Sequence, residues 1–287
     1  MVLAATPVRA PARFPHVVFN AMNDLHVAAR RCLEATDPAD KVRLSFETWA
    51  ALQAGTLAAD AASPAPVPIG PPGRPALPRL VPARELAQRG LGTDVGRAAL
   101  VHAIAHIEFN AIDLAWDAIY RFRGKPDAYY VDWASCANDE ARHFSMLSAR
   151  LAELGHAYGD FDAHNGLWEM AEKTAHSDTA RMALVPRVLE ARGLDVTPGM
   201  MERLRRQGDD RTVAILEVIL REEVAHVAAG TRWFHWCCAR DGIEPEATFA
   251  QLLADYMHGS LRGPFNLDAR RDAGFSETEL AWLQTLG

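Results

Sequence analysis

Two matching arrays of acidic and imidazole side chains constrain this chain more than any other feature. Glu108 is followed by Glu140-Ala-Arg-His143, and Glu190 is followed by Glu223-Val-Ala-His226. The lone Glu leads by 32 residues in the first array (140 − 108) and by 33 in the second (223 − 190). That is the length one helix needs to run its course, turn, and return to the same height. A Glu and a His three apart share one helical face, so both can reach the same ion. Four inward helices bearing Glu, Glu-x-x-His, Glu and Glu-x-x-His carry the ligand set of an antiparallel bundle holding two iron or two manganese ions.

The surrounding residues strengthen the pattern. Glu108 shares its face with Val101, Ile104, Ala105, Ala111, Ile112 and Ala115. Glu140 has Trp133, Cys136, Ala137, Phe144 and Leu147, and Glu223 has Leu216, Ile219, Leu220, Val227 and Gly230. The carboxylates therefore fall in the stripes that pack inward, where an uncompensated charge is costly. No Lys or Arg lies in those stripes, so a proton or a metal ion must balance them. One Glu-x-x-His would mean little, since a solvated helix face often carries it. Two copies in register with two lone Glu mean considerably more.

Composition sets the outer limits. A chain of 287 residues, 49% hydrophobic, can bury one sizeable core. Its net charge of −7 argues against broad nucleic-acid or anionic-membrane binding. The charge is uneven: 11 basic against 8 acidic residues through Leu100 give +3, leaving −10 for the remainder. Cys32, Cys136, Cys237 and Cys238 form no Cys-x-x-Cys pair, which excludes a zinc ribbon or rubredoxin-like iron site. Reduced thiols, no convincing signal peptide and no apolar run of bilayer length make a cytoplasmic protein the expectation.

Periodicity predicts an all-α chain. Helices are expected over 17–34 and 39–54, then a Pro-rich arm over 61–82 lying on the bundle. Arg74, Arg79, Arg84 and Arg89 recur at five-residue intervals, as anchors for the arm or, less simply, a dock for an anion. Core helices are expected over 94–122 (capped by Thr93), 127–154, 167–192 and 210–240, with a short helix over 198–206 bridging the last two. Pro186 predicts a kink four residues before Glu190. That makes Glu190 the carboxylate expected to shift during turnover. The organisation is thus 1–92 as helices and arm, 93–258 as bundle and 259–287 as closing tail, one structural domain in all. In the tail, Arg262, Asn266 and Arg270 are candidate substrate or anion contacts, and Ser276 with Glu279 forms a capping box.

Around the centre, metal-bound imidazoles usually donate their second N–H to a carboxylate. Asp139 is expected to support His226 and Glu222 to support His143, each across to the partner helix; a local Glu222–His226 pairing is the alternative. His106 points away from Glu108 and His102 lies close to the edge of its face at best; both read as core or surface residues. Cys136 lies one turn from Glu140, and Trp116, Tyr120, Tyr129, Tyr130 and Trp133 read first as core aromatics.

From about Gly90 to Ala273 the chain resembles an uncharacterised bacterial family of ferritin-like proteins, known only as a domain of unknown function. The matching stretches are His102-Ala-Ile-Ala-His-Ile-Glu108, Asp139-Glu-Ala-Arg-His143, Leu189-Glu-Ala-Arg-Gly-Leu-Asp-Val-Thr-Pro198 and Gly263-Pro-Phe-Asn-Leu-Asp-Ala-Arg270. The resemblance implies a ferritin-like fold with a di-metal site and brings no substrate. Glu190-Ala-Arg192 is also similar to di-iron hydroxylases acting on a modified tRNA adenosine, so tRNA stays among the partners to test. Rubrerythrin-like peroxidases share the ligand logic but need a cysteine-bound iron that this chain lacks. A ferritin cage is disfavoured because the arm and tail would obstruct a shell. The leading expectation is an oxygen-dependent hydroxylase or oxidase with two Fe, two Mn or a mixed Fe/Mn pair, a small-molecule substrate and an external electron donor. A non-catalytic iron-handling protein, or a helical module binding no metal, are the alternatives. A homodimer built on bundle faces is compatible with either.

Overall fold

A computed structural model describes residues 23–257 and 261–285. Every regular element among them is helical; the only strand-like pairings are the isolated bridges Asp24–Ala58 and Leu80–Ala163. Asp24 caps the first helix, α1 (Leu25–Glu34), by accepting from the His26 amide at 3.0 Å. The start expected at residue 17 therefore moves to Leu25, and residues 17–22 lie outside the described residues. Asp37 caps α2 (Pro38–Gln53), with Pro38 where its missing donor costs nothing.

Two long helices follow, α3 (Asp94–Arg121) and α4 (Asp127–Glu153). Thr93 caps α3 through the Gly96 amide at 3.0 Å. By length and composition α3 could cross a membrane, which corrects the expectation that no such run exists. Its apolar window is 78% buried inside the protein, against its neighbours α1 and α4.

The third core segment departs most from expectation. In place of one helix over 167–192 there are α5 (Gly166–Lys173), a break at residues 174–177, and α6 (Asp178–Leu184). Thr174 turns its hydroxyl back to the Met170 carbonyl at 2.7 Å, and Ser177 restarts the helix by accepting from Ala180. Pro186, the site of the expected kink, sits in a π-helical stretch, Val185–Glu190, that is followed without a break by α7 (Ala191–Arg205). A proline ring collides with the carbonyl four residues back in an α-helix; the wider π turn relieves that collision. The bridging helix expected over 198–206 is simply the far half of α7. Pro198 lies inside it and frees the Leu194 carbonyl, which instead accepts from Asn266 Nδ2 at 3.2 Å.

Asp209 caps α8 (Asp210–Asp241), which ends at Gly242 in the left-handed conformation (φ 67°). Where α8 passes the π stretch it has Gly230, at which any Cβ would overlap the ring of Pro186. The tail forms α9 (Pro245–Met257), α10 (Leu267–Asp272) and α11 (Glu277–Gln284), the last with the expected Ser276–Glu279 capping box.

The N-terminal helices join the same core. α1 packs on α3 and α2 on α4. A buried Lys41–Asp113 ion pair and a 2.9 Å Trp116–Ser45 hydrogen bond fix them there. The Pro-rich arm returns over the opposite end. Arg74 donates to Asn165 at 2.9 Å, Arg79 pairs with Asp162 at 2.6 Å, and Arg89 lies over the Phe161 ring. These arginines serve as anchors.

Candidate metal centre

Glu108 from α3, Glu140 and His143 from α4, and Glu223 from α8 converge, with one ligand atom of each within 4.8 Å of the others. All four are buried, Glu140 with 3% of its surface exposed and His143 with none. His226 of α8 joins them: its Nδ1 is 3.0 Å from Glu140 Oε1 and 3.4 Å from Glu223 Oε1. On the other side His143 Nδ1 is 3.1 Å from Glu108 Oε2, 3.4 Å from Glu140 Oε2 and 3.9 Å from Glu223 Oε1. Glu140 thus reaches one imidazole with each oxygen, and Glu223 lies between them. Glu190, the last residue of the π stretch, lines the same cavity as the other three carboxylates. Its Oε2 is shielded from solvent without a hydrogen-bond partner.

Both imidazoles turn Nδ1 inward and Nε2 outward. His143 Nε2 lies 2.7 Å from Glu222 Oε2, on α8; His226 Nε2 lies 3.4 Å from Asp139 Oδ2, on α4. Each contact crosses between the two helices, and the local Glu222–His226 pairing is not formed. Arg142 donates to both outer carboxylates, at 3.0 Å to Asp139 and 2.6 Å to Glu222. This clamp escaped sequence reasoning, although Arg142 stands inside the motif itself. The signal was there: two acids placed to serve two imidazoles invite a cation between them. Asp139→Asn and Glu222→Gln are each expected to weaken metal binding about 10–100-fold, read by competition against a chelating indicator. Parent-like affinity in both would remove the supporting role.

Without a cation, the cluster is arranged around protons. Burial opposes charge on His143, but its hydrogen bonds to Glu108 and Glu140 prevail and carry it up to about 11. Burial likewise opposes charge on His226, and the anionic groups around it raise it well above the usual imidazole range. Burial, then the Glu140 charge, pushes Glu108 up to about 8. Burial, then Glu223 and Glu140, raises Glu190 well above the usual carboxylate range. Glu140 itself is held low: burial and Glu223 oppose its charge, but the two imidazoles outweigh them. Cys136 is pushed up to about 12 by burial, so without a cation it stays a thiol.

The remaining candidates lie elsewhere. Arg270, nearly fully buried, makes a bidentate pair with Asp195 at 2.9 and 2.7 Å. Asn266 caps α10 and donates its amide to the same Asp195 at 2.9 Å. Arg262 is exposed, and its carbonyl accepts from Arg192 at 2.9 Å. The anion-contact expectation for Asn266 and Arg270 is thus corrected: Asp195 is their anion, and together they close the tail on α7. His102 and His106 stack with Tyr158, and His106 Nδ1 lies 2.8 Å from the Tyr158 hydroxyl. Desolvation holds both down at about 4, as neutral core histidines.

Against the carboxylate cluster lies a cavity of about 140 Å³. Apart from Glu108, Glu140, Glu190 and Glu223, its wall is mostly apolar: Ile104, Ala111, Leu189, Val196, Met200, Leu216, Ile219 and Leu220. Ile107, Leu167 and, from α7, Arg192, Gly193 and Thr197 complete it.

An all-α chain with a buried Glu/His cluster of metal-ligating composition is the class that fold and site define. Residues 34–281 match the family described as "Protein of unknown function (DUF455)", and the chain belongs to it. It is also 46% identical over 216 residues to a protein of Haemophilus influenzae described as "Uncharacterized protein", covering 73% of this chain and 75% of that one. No solved structure matches it.

Proposed function

We propose that the cluster holds two divalent ions, iron or manganese, within a ferritin-like four-helix bundle formed by α3, α4, the α6–π–α7 segment and α8. The protein is then an oxygen-dependent oxidoreductase acting on a small organic substrate with an external electron donor. The observation that carries the reading is the donor set. Four carboxylates face two inward nitrogens in the core; Glu190 Oε2 has no hydrogen-bond partner, and Glu140 Oε2 and His226 Nδ1 make only poorly aligned approaches within the cluster. Native interiors seldom leave such atoms unsatisfied. Hard oxygen donors with only two imidazoles suit iron or manganese better than zinc or copper. Glu140 and Glu223 lie where both ions can share them; Glu108 is on the His143 side, and Glu190 completes the set.

When bound, such ions supply Lewis acidity and a redox change for chemistry with dioxygen. The chain supplies the rest. Glu222 and Asp139 fix which imidazole nitrogen faces inward, and Arg142 keeps those two acids charged and in place. The apolar wall excludes water from the reacting side. That cavity favours an enzyme over an iron-handling protein, which needs no organic-sized space beside its ions, and it suits a small molecule better than a tRNA.

Charge balance leads to a test. Two dications would displace protons from His143, His226, Glu108 and Glu190, the groups on which the metal-free site raises proton affinity. Fe(II) or Mn(II) uptake by the full chain should reach about two ions and release protons at pH 7. Because those groups bind protons more strongly in the folded site, apparent affinity rises with pH. The dependence becomes shallower above about 8, where Glu108 no longer holds its proton. Elemental analysis of protein from iron- and manganese-supplemented cells, with calorimetry in buffers of different ionisation enthalpy, measures both. A folded protein that carries no metal and ignores added Fe(II) would end this reading.

A further inference from the structure

We propose that the cavity beside the cluster is a specificity pocket for an uncharged apolar group about the size of a benzene ring, and that Gly193 sets its size. Its part in turnover rests on the di-metal reading above; the binding itself does not. An apolar cavity of roughly 150 Å³ stays dry and accepts benzene, and this one measures about 140 Å³. Ile107, 45% exposed, marks the mouth, and the adjacent Glu108, buried, marks the floor. A ligand entering past Ile107 is therefore led to the carboxylates.

The two polar side chains of the wall beyond the carboxylates do not call for a charged ligand. Thr197 is neutral. The Arg192 guanidinium is held by the carbonyls of Arg262, Gly263 and Pro264 and lies 3.7 Å from Asp195. Its charge is already answered on the protein.

Gly193 lies inside α7, where glycine weakens a helix relative to alanine. Nothing in the fold demands it there: its φ is not in the left-handed region, and an added Cβ would meet no atom within 4 Å. Gly230 is the opposite case, with Pro186 filling the place of a side chain. What Gly193 provides is open space. It stands one turn beyond Glu190, and Thr197 stands one turn further, so one stripe of α7 runs from the cluster along the cavity wall.

The test uses the full chain, as isolated and after chelation, titrated with toluene by saturation-transfer NMR, with benzoate as the charged control. Toluene should bind the parent in both states, and in the chelated protein benzoate should bind at least about tenfold more weakly. Gly193→Leu should weaken toluene by roughly tenfold or more while metal content stays at the parent level, since one side chain takes most of the space. Gly193→Ala, which the open space accommodates, should weaken it less and carries the test if the leucine variant does not fold. No toluene binding by the parent, benzoate binding as tightly to the chelated protein, or parent-like affinity in both variants would overturn the pocket. Metal analysis of the same samples separates the two readings. A parent with two ions and no toluene site refutes the pocket alone. A metal-free parent that binds toluene under Gly193 control refutes the di-metal reading and leaves the pocket standing.

Discussion

Glu140→Ala is expected to yield a folded protein that retains neither ion, with affinity reduced by more than roughly a hundredfold at each position. The reason is that Glu140 serves both halves of the centre, with Oε1 3.0 Å from His226 Nδ1 and Oε2 3.4 Å from His143 Nδ1. Glu108 approaches His143 and not His226. Glu108→Ala should therefore keep about one ion per chain under the same loading. Side-by-side elemental analysis of the two variants reads out the sharing directly. If Glu140→Ala retained two ions, or lost no more than Glu108→Ala, the carboxylate between the imidazoles would not be shared. Circular dichroism on each sample keeps a folding failure from being mistaken for a binding one.

Glu279→Ala is expected to cost about 3–5 kcal/mol of stability, far more than a helix cap alone. Glu279 is buried on α11 and accepts from Arg187 Nη2 at 2.5 Å. Arg187 is fully buried in the π stretch, with its guanidinium over Phe234, Phe249 and Phe275 at 4.8, 4.4 and 4.5 Å. Those ring faces favour a cation but cannot replace a carboxylate. Removing Glu279 leaves a buried positive charge whose Nη1 already lacks a hydrogen-bond partner. Arg187→Met combined with Glu279→Leu removes both charges and should recover most of the loss. Urea denaturation of the metal-free chain measures all three; a loss below about 1 kcal/mol in Glu279→Ala would show that water reaches the guanidinium.

How much of this was legible in the sequence depended on the range of the interaction that decides each feature. Helices α3, α4 and α8 were readable because Thr93, Asp127 and Asp210 mark their starts and local apolar spacing carries them through. The Ser276–Glu279 box was readable for the same reason, being closed within four residues. The convergence of Glu108, Glu140, His143, Glu223 and His226 followed from helix length, which spacing measures. The break after Lys173 was hidden because apolar periodicity continues across it, while Thr174 adds a hydroxyl bond to the Met170 carbonyl and Ser177 caps a new start. Pro186 signalled a disturbance, but whether a helix bends or widens depends on what lies opposite, and that is Gly230, 44 residues away in sequence. Arg270 and Asn266 resembled anion binders for a sound reason. Their anion is Asp195, which no local rule could place beside them.

The π stretch loosens the link between residue count and donor position. Each helical residue turns the chain by about 100°, and a π turn holds roughly one residue more than an α turn. Deleting a single residue between Val185 and Leu189 would let the segment relax to ordinary helix with every ligand still present in the sequence. Glu190 and the cavity-facing stripe of α7 would still face Glu108 and Glu140, because the six residues of the π stretch sweep about as far round the axis as five of an α-helix. On the di-metal reading, a relative could therefore carry one residue fewer in this segment and still hold Glu190 opposite Glu108 and Glu140, the difference being absorbed in the π turn.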